Sequence, residues 1–135
     1  MILLDTDVLL DVALDRTPHA DAAAELLDHL ERAPRSAFVA WHTISNFYYL
    51  VRPTRGGAAA KDFIEGLTHF VTVAPTDSEA LRYATSLPMR DFEDAMQVAA
   101  ARACGAEFIV TRNTKDFRRS PVAAMTPADA LRALT

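Results

Sequence analysis

The sequence has a single cysteine, Cys104, and no long hydrophobic segment. One cysteine excludes an internal disulfide and a zinc site built from several thiolates. The longest segment without Asp, Glu, Lys or Arg runs from Ser36 to Val51, and it is shorter than the ~20 apolar residues of a membrane-spanning helix. The first acid, Asp5, comes too early in the chain for a signal peptide. We therefore expect a cytoplasmic protein without a membrane segment.

The sequence also lacks an excess of basic residues. Its net charge is −4, so the chain as a whole offers no electrostatic reason to bind nucleic acid. Any nucleic-acid partner would have to contact a local cluster of basic side chains. Low-complexity segments, internal repeats and linkers are absent as well, which indicates an ordinary globular protein.

Short apolar segments alternate along the chain with segments of helical periodicity. The predicted strands are ILLD, AFVA, VTVAP and EFIVT. The predicted helices are DVLLDVALD, TPHADAAAELLDHLERAP, HTISNFYYLVR, GGAAAKDFIEGLTHF, TDSEALRYATSLP, DFEDAMQVAAARACG and TPADALRALT. This alternation indicates an α/β fold with a central, mostly parallel sheet flanked by helices. At 135 residues, the chain is expected to form a single domain over residues 1–135.

Several residues are suited to begin or end these helices. Thr17 is expected to cap the second helix, with Pro18 in its first turn. Pro53 is expected to stop the third helix, because proline disrupts a helix interior. Gly105 is expected to end the sixth helix in the left-handed conformation that helix C-termini favour.

Polar side chains follow two of the predicted strands at the point where each strand ends. Asp5 comes directly after the first strand, and Thr111, Arg112 and Asn113 come directly after FIV. In open parallel sheets the ligand crevice lies outside the carboxyl ends of the strands. We therefore expect both groups to face the same crevice.

Carboxylates and neutral oxygen donors together suggest a site for a hard cation. Carboxylates that converge repel one another unless a cation neutralises them or some are protonated, and Mg²⁺ and Mn²⁺ take oxygen ligands. The candidate acids are Asp5, Asp91, Asp94 and Asp116, and the candidate neutral donors are Asn46, Thr111 and Asn113.

Each acid also has a structural interpretation. Asp7 is expected to cap the first helix, and Asp11 to be a solvated helix residue. Asp91 can cap the sixth helix, with Asp94 at its third position. Asp116 can form a turn. The charge of Asp5 needs compensation after a buried strand.

Four motifs carry a resemblance to a known family. The segments LLDTDVLLDVALDR, ISNFYYLV, DFEDAMQVAAA and FIVTRNTKDF occur in this order over nearly the whole chain. In them the chain resembles PIN domains, and among these the VapC-like toxins of prokaryotic toxin–antitoxin pairs. The resemblance implies a parallel sheet flanked by helices. It also implies Mg²⁺- or Mn²⁺-dependent cleavage of RNA by a homodimer that a small antitoxin restrains.

The resemblance also assigns roles to individual residues. Asp5 matches the first acid of the family, and Asp94 matches the acid of the late helix. Asn113 or Asp116 supplies the last site residue, and Thr111 matches the hydroxyl residue before them. These assignments make Asp5, Asp94, Asp91 and Asp116 the candidate catalytic acids, and the first three the candidate metal ligands.

One position departs from the family pattern. The family usually has Glu in the third helix where this chain has Asn46, and an amide oxygen brings no charge to a cation. Asp91, one helical turn before Asp94, is the candidate that compensates for the missing charge.

The segment TRNTKDFRR is the local basic cluster that a nucleic-acid partner requires. It carries four basic residues beside the last acidic motif, and we predict that they contact the phosphates of RNA; these are Arg112, Lys115, Arg118 and Arg119. The alternative for this segment is a solvated loop.

Two other functions stay open. Asn46 is compatible with a non-catalytic PIN scaffold that binds RNA or protein. The Asp-x-Asp pair at Asp5 and Asp7 is compatible with a haloacid-dehalogenase-like phosphatase, although Val8 and Leu9 stand where such enzymes usually have a Gly-Thr-type turn.

Overall fold

The computed structural model describes residues 1–34 and 36–135. Within these residues, five strands form one sheet in the order β3-β2-β1-β4-β5, and every neighbouring pair is parallel. The strands are β1 (Ile2–Leu4), β2 (Ala37–Val39), β3 (Val71–Val73), β4 (Phe108–Val110) and β5 (Ala123–Met125). The predicted α/β fold with a parallel sheet is confirmed, and the four predicted strands are all present.

Seven α-helices and one 3₁₀ turn, all within the described ranges, surround the sheet. The helices are α1 (Thr6–Ala13), α2 (Ala20–Glu31), α3 (Thr43–Arg55), α4 (Gly57–Leu67), α5 (Ser78–Ser86), α6 (Phe92–Cys104) and α7 (Pro127–Leu134), and the 3₁₀ turn is Thr114–Phe117. In the described part of the chain, no helix is long and apolar enough to cross a membrane.

The central strands bury apolar side chains on both faces of the sheet. Ile2 and Leu4 of β1 pack in one cluster with residues of α1, α2 and α3. Leu3, whose side chain points to the opposite face, packs with Val98 of α6 in a second cluster. Burial on both faces explains why β1 and β4 are continuous apolar segments.

Two of the predicted helix boundaries are wrong. Pro53 lies inside α3, which continues to Arg55 and ends at Gly56 with φ of 86°. In a regular helix the amide of residue 53 would donate a hydrogen bond to the carbonyl oxygen of Tyr49, but proline has no amide hydrogen. Because Tyr49 is exposed, water can bond to that carbonyl oxygen instead. Gly105 does end α6 in the left-handed conformation, as predicted.

Thr17 does not cap α2. The helix begins at Ala20, and its N-cap residue, His19, makes no side-chain capping bond. The carbonyl oxygen of Arg16 accepts hydrogen bonds from the amides of His19 (2.9 Å) and Ala20 (2.8 Å). A backbone turn therefore satisfies amides that the Thr17 hydroxyl was expected to satisfy.

Candidate active site

The carboxyl ends of β1 and β4 bring Asp5 and Thr111 together. Leu4 of β1 pairs with Val110 of β4, and the amide of Asp5 donates to the carbonyl of Val110 at 2.9 Å. The next residue on each strand therefore lies at the same edge of the sheet. There the Thr111 hydroxyl lies 2.9 Å from Oδ2 of Asp5. The two polar groups therefore meet at one edge of the sheet, although neither lines the groove described below.

Asp5, and not Asp7, is the N-cap of α1. Asp5 has extended backbone angles, and its Oδ1 accepts a hydrogen bond from the amide of Thr6 at 2.7 Å. The predicted cap role of Asp7 is therefore wrong. The helix begins two residues earlier than the prediction requires, because the strand ends at Leu4 and α1 already begins at Thr6.

Asp7 instead binds the loop that follows β4. Its carboxylate accepts hydrogen bonds from the Arg112 amide (3.2 Å) and the Asn113 side-chain amide (3.1 Å). The Thr111 hydroxyl also lies 3.1 Å from Oδ2 of Asp7. The side chain is therefore part of the site, joining α1 to the three polar residues after the strand.

The Thr111 hydroxyl lies between two carboxyl groups. It accepts a bond from the Asn113 amide at 3.1 Å and lies within bonding distance of both Asp5 and Asp7. A hydroxyl has one proton to donate, so it can donate to only one of the two carboxylates at a time. Burial, and then the charge of Asp7, raise the pKa of Asp5 to about 8. Burial also raises the pKa of Asp7.

Asp94 adds a carboxylate from α6. Burial, followed by the charges of Asp91 and Asp116, raises its pKa to about 7. Asp91 is the N-cap of α6, and its Oδ1 accepts from the Asp94 amide at 3.2 Å. The predicted cap role of Asp91 is confirmed. The charge of Asp94 also raises the pKa of Asp5, so the acids of α6 and β1 act on one another.

An open groove of about 590 Å³ runs past these acids. It is lined by the acids of α6 and of the 3₁₀ turn and by a rim of basic side chains; the lining residues are Pro88, Met89, Arg90, Asp91, Asp94, Lys115, Asp116, Arg118 and Arg119. Three of the four predicted RNA contacts are therefore in the groove, beside the predicted acids.

Arg112, the fourth predicted RNA contact, binds Asp11. Its Nε and Nη2 atoms donate to the two carboxylate oxygens of Asp11 at 2.9 and 3.0 Å. The expectation that Asp11 is solvated is wrong, because its side chain is only 1% exposed. Asp11 lies four residues after Asp7, and residues at this spacing share one face of a helix. Both acids thus face the loop after β4.

Three hydroxyl and amide side chains behind the acids tie three helices together. Gln97 of α6 is fully buried, and its Nε2 lies 3.1 Å from the Thr43 hydroxyl of α3. Thr43 lies in turn 3.3 Å from the Thr6 hydroxyl of α1. These residues were not predicted. The only sequence signal was a lone polar residue, Gln97, in an alanine-rich helix.

Asn46 lies one turn after Thr43 on α3 and is partly buried. Over residues 1–34 and 36–135, its side chain forms no hydrogen bond, and it does not line the groove. Its predicted role beside a cation therefore stays a prediction.

The donor chemistry of the site fits a hard divalent cation, although the ligands are not pre-assembled. Among the described residues, no three His, Cys, Asp or Glu side chains form a ready metal-binding group. However, the raised pKa values of Asp5, Asp7 and Asp94 indicate an excess of negative charge around these acids. A cation that binds these acids would relieve that excess.

Comparisons with solved structures show the same fold at low sequence identity. VapBC2 from Rickettsia felis, bound to a DNA fragment from their promoter, has 17% identity and a TM-score of 0.72, covering 93% of this chain and 98% of that one. FitAcB from Neisseria gonorrhoeae has 20% identity and a TM-score of 0.62, covering 94% and 98%. VapC20 from Mycobacterium tuberculosis, a sarcin-ricin loop cleaving toxin, has 18% identity and a TM-score of 0.62, covering 81% and 87%.

Comparisons at the sequence level identify the family. No curated protein matches the chain. The family model described as PIN domain matches residues 1–115, a range that includes every acid of the site up to Asp94 and the loop after β4. The remaining residues continue the same fold, since β5 pairs with β4 and Ala130 of α7 is in the core. The chain belongs to the PIN domain family.

Proposed function

We propose that this chain is an endoribonuclease that depends on Mg²⁺ or Mn²⁺. The observation that carries the proposal is the meeting of acids from three elements beside a groove with a basic rim. Asp94 of α6 and Asp116 of the 3₁₀ turn line the groove, and Asp5 after β1 lies close enough to Asp94 for the charge of Asp94 to raise the pKa of Asp5. Acids with raised pKa values in a groove are typical of sites that do chemistry.

In the proposed mechanism, Asp5, Asp94 and Asp91 hold the cation. A cation held there would neutralise charge on the phosphate and would increase the acidity of water. Asp116, exposed on the groove wall, orients or deprotonates the water that attacks the phosphodiester bond. The reaction breaks the bond between phosphorus and one ester oxygen, and it leaves the phosphate on one of the two RNA ends.

Neutral residues keep the acids in position. Thr111 and Asn113 hydrogen-bond to the acids that follow β1, and in the proposal they maintain this arrangement when the protons leave. Asn46 is proposed to hold water near the site. Because Asn46 replaces the charged residue usual in the family, we expect the cation affinity to depend on Asp91.

The basic rim is proposed to bind the RNA backbone. Lys115, Arg118 and Arg119 are exposed along the groove, where exposed cations can neutralise successive phosphates. The relative named as a sarcin-ricin loop cleaving toxin supports RNA as the substrate class.

We also propose that the chain is the toxin of a toxin–antitoxin pair and acts as a homodimer. The VapBC2 relative, a complex bound to promoter DNA, supports a cognate antitoxin as partner. Tyr49 and Leu50 of α3 are 63% and 54% exposed, and large apolar side chains at the surface support contact with a second copy.

A cleavage assay with purified chain tests the proposed function. Mixed RNA is incubated with Mn²⁺ or with EDTA, and the products are resolved by size. We expect cleavage with Mn²⁺ only, and a loss of at least about 100-fold in Asp5→Asn and Asp94→Asn, as for other groups that hold a catalytic cation. Asp21→Asn, an exposed residue of α2, is the matched control and should cleave normally.

The same assay decides between the proposed enzyme and the non-catalytic scaffold. A scaffold would bind RNA without cleaving any RNA in the presence of Mn²⁺. Cleavage that persists in folded Asp5→Asn protein would show that the chemistry lies elsewhere. The family match favours the PIN interpretation over a haloacid-dehalogenase-like phosphatase, and a phosphorylated Asp5 would be the evidence for the latter.

A further inference from the structure

We propose that Asp11 and Arg112 are positioning residues for the cation site, and that Arg112 does not act as an RNA contact. Their ion pair fixes the loop Thr111–Asn113 against α1, and through that loop it holds the carboxylates of Asp5 and Asp7 in place. The inference rests on the proposed function, because it concerns the affinity of the same site for its cation.

The geometry of the pair is that of a rigid clamp. Both carboxylate oxygens of Asp11 accept from different nitrogens of the Arg112 guanidinium, at 2.9 and 3.0 Å. This two-point contact fixes orientation as well as distance. Asp11 is fully buried, so its charge must be compensated where it stands. The ion pair therefore fixes the position of the Arg112 side chain relative to α1.

The same residue is attached to the site through its backbone. The amide of Arg112 donates to the Asp7 carboxylate at 3.2 Å. Arg112 therefore binds α1 at both Asp7 and Asp11, which lie one helical turn apart. The neighbouring residues on either side, Thr111 and Asn113, also hydrogen-bond to Asp7. A shift of the guanidinium would therefore move the hydroxyl that lies between Asp5 and Asp7.

The arrangement also explains why the pair needs arginine. A lysine carries one nitrogen and cannot span both oxygens of Asp11. In the Arg112 guanidinium, two of the three nitrogens are occupied by Asp11. Its side chain is 26% exposed, whereas Lys115, Arg118 and Arg119 are the exposed cations that line the groove.

Arg112→Lys is the decisive variant, and Arg16→Gln is its matched control. Arg112→Lys keeps the positive charge but removes the two-point contact with Asp11. Asp11→Asn keeps the shape of the side chain but removes its negative charge. Arg16 also approaches Asp11, at 3.7 Å, but it lies on the chain after α1 and not in the loop after β4. Arg16→Gln therefore weakens the charge compensation of Asp11 without altering the loop.

Three quantities separate positioning from RNA contact. We expect Arg112→Lys and Asp11→Asn to weaken Mn²⁺ binding to the RNA-free protein by about 10- to 100-fold, as measured by calorimetry, since this is the usual effect of residues that orient metal ligands. We expect kcat at subsaturating Mn²⁺ to fall, while KM for RNA at saturating Mn²⁺ changes less than about twofold. The salt dependence of RNA binding should stay unchanged. Arg16→Gln should resemble the wild type in all three.

The opposite pattern would overturn the proposal. If Arg112→Lys binds Mn²⁺ like the wild type, the clamp has no role in the site. If Arg112→Gln lowers the slope of log K against log salt by about 1 with unchanged Mn²⁺ binding, Arg112 contacts a phosphate. If Asp11→Asn fails to fold, Arg112→Lys decides alone, because its residue is partly exposed and keeps its charge.

Hydrogen exchange keeps the proposal testable if the proposed function fails. Should the wild type bind no Mn²⁺, the clamp still predicts that Asp11→Asn speeds amide exchange at Arg112 and Asn113 by at least about tenfold. The amide of Arg112 donates to the Asp7 carboxylate and the amide of Asn113 donates to the Thr111 hydroxyl, and both bonds loosen when the loop is released. Arg16→Gln should leave these rates unchanged. Unchanged rates in Asp11→Asn would refute the clamp independently of any nuclease activity.

Discussion

Replacing Asp5 by asparagine should change how the stability of the cation-free protein depends on pH. The pKa of Asp5 is about 8 in the folded protein, because of burial and then the charge of Asp7, and its ordinary value is 3.8. Between these values the folded protein keeps a proton that the unfolded chain has lost. The free energy of unfolding therefore decreases as pH rises from about 4 to about 8, and the decrease stops above that range.

The size of the effect follows from the same two pKa values. Within the window, one proton of difference corresponds to about 1.4 kcal/mol for each pH unit. Asp5 alone should therefore lower the stability by about 3 kcal/mol between pH 5 and pH 7. The asparagine side chain does not titrate, so the Asp5→Asn variant should lose about 3 kcal/mol less than the wild type over this range. It should be the more stable protein at pH 7.

Urea unfolding in EDTA at pH 5, 6 and 7 measures the difference. Wild type, Asp5→Asn and the control Asp21→Asn are compared at constant ionic strength, so that other groups contribute equally to each curve. If the free energy of unfolding falls by the same amount in wild type and Asp5→Asn over this range, within about 0.5 kcal/mol, then burial and the charge of Asp7 do not raise the pKa of Asp5 and the reasoning is refuted. Saturating Mn²⁺ should abolish the contribution of Asp5 to the slope for the wild type, because binding releases the proton and Asp5 then carries none in either the folded or the unfolded state over this range.

Three further predictions concern the neighbours of Asp5. Asp91→Ser should keep the thermal stability, because Ser caps a helix about as well as Asp, but should bind Mn²⁺ more weakly in calorimetry if Asp91 replaces the missing charge at Asn46. Arg118→Ala together with Arg119→Ala should raise KM for RNA and lower the salt slope by about 2, with unchanged Mn²⁺ affinity. Asp7→Asn should lower the pKa of Asp5, so the pH midpoint of Mn²⁺ binding should fall while cleavage stays within a few-fold; an unchanged midpoint would contradict the repulsion.

The sequence was sufficient to predict the sheet and the meeting of two polar groups at its edge. Apolar segments such as that ending at Val110 are buried on both faces, and such strands keep a clear signal. The rule that ligands bind at the carboxyl ends of parallel strands then predicts the meeting of Asp5 and Thr111, which the structure confirms. Neither inference depends on side-chain detail.

The strand β5 could not be predicted in this way. Its residues, Ala123–Met125, include no β-branched or aromatic side chain, and none of them is fully buried. The strand exists because β4 offers an unpaired edge, and the pairing aligns Val110 with Met125. Tertiary context, and not local propensity, decides such an edge strand.

Side-chain partners distant in sequence also escaped prediction. Asp11 looks like one of several exposed helix acids until Arg112, 101 residues later, is known to lie against it. Gln97 likewise gives no sign that it bonds to the Thr43 hydroxyl. In both cases the missing information is a contact between distant residues, which periodicity within one element cannot contain.

The three acids at the start of the chain differ because each meets a different partner at the end of β4. Asp5 ends the strand and has only a hydroxyl and an amide beside it, so its charge is not compensated and it keeps a proton. Asp7, one residue inside α1, is the acceptor for the loop, and its hydrogen bonds hold that loop close to Asp5. Asp11, one turn further, forms an ion pair with the guanidinium of Arg112. Moving along the chain, the partner changes from a hydroxyl and an amide, to the loop after β4, to a guanidinium, so in the proposed function Asp5 is the acid whose charge a metal ion would compensate.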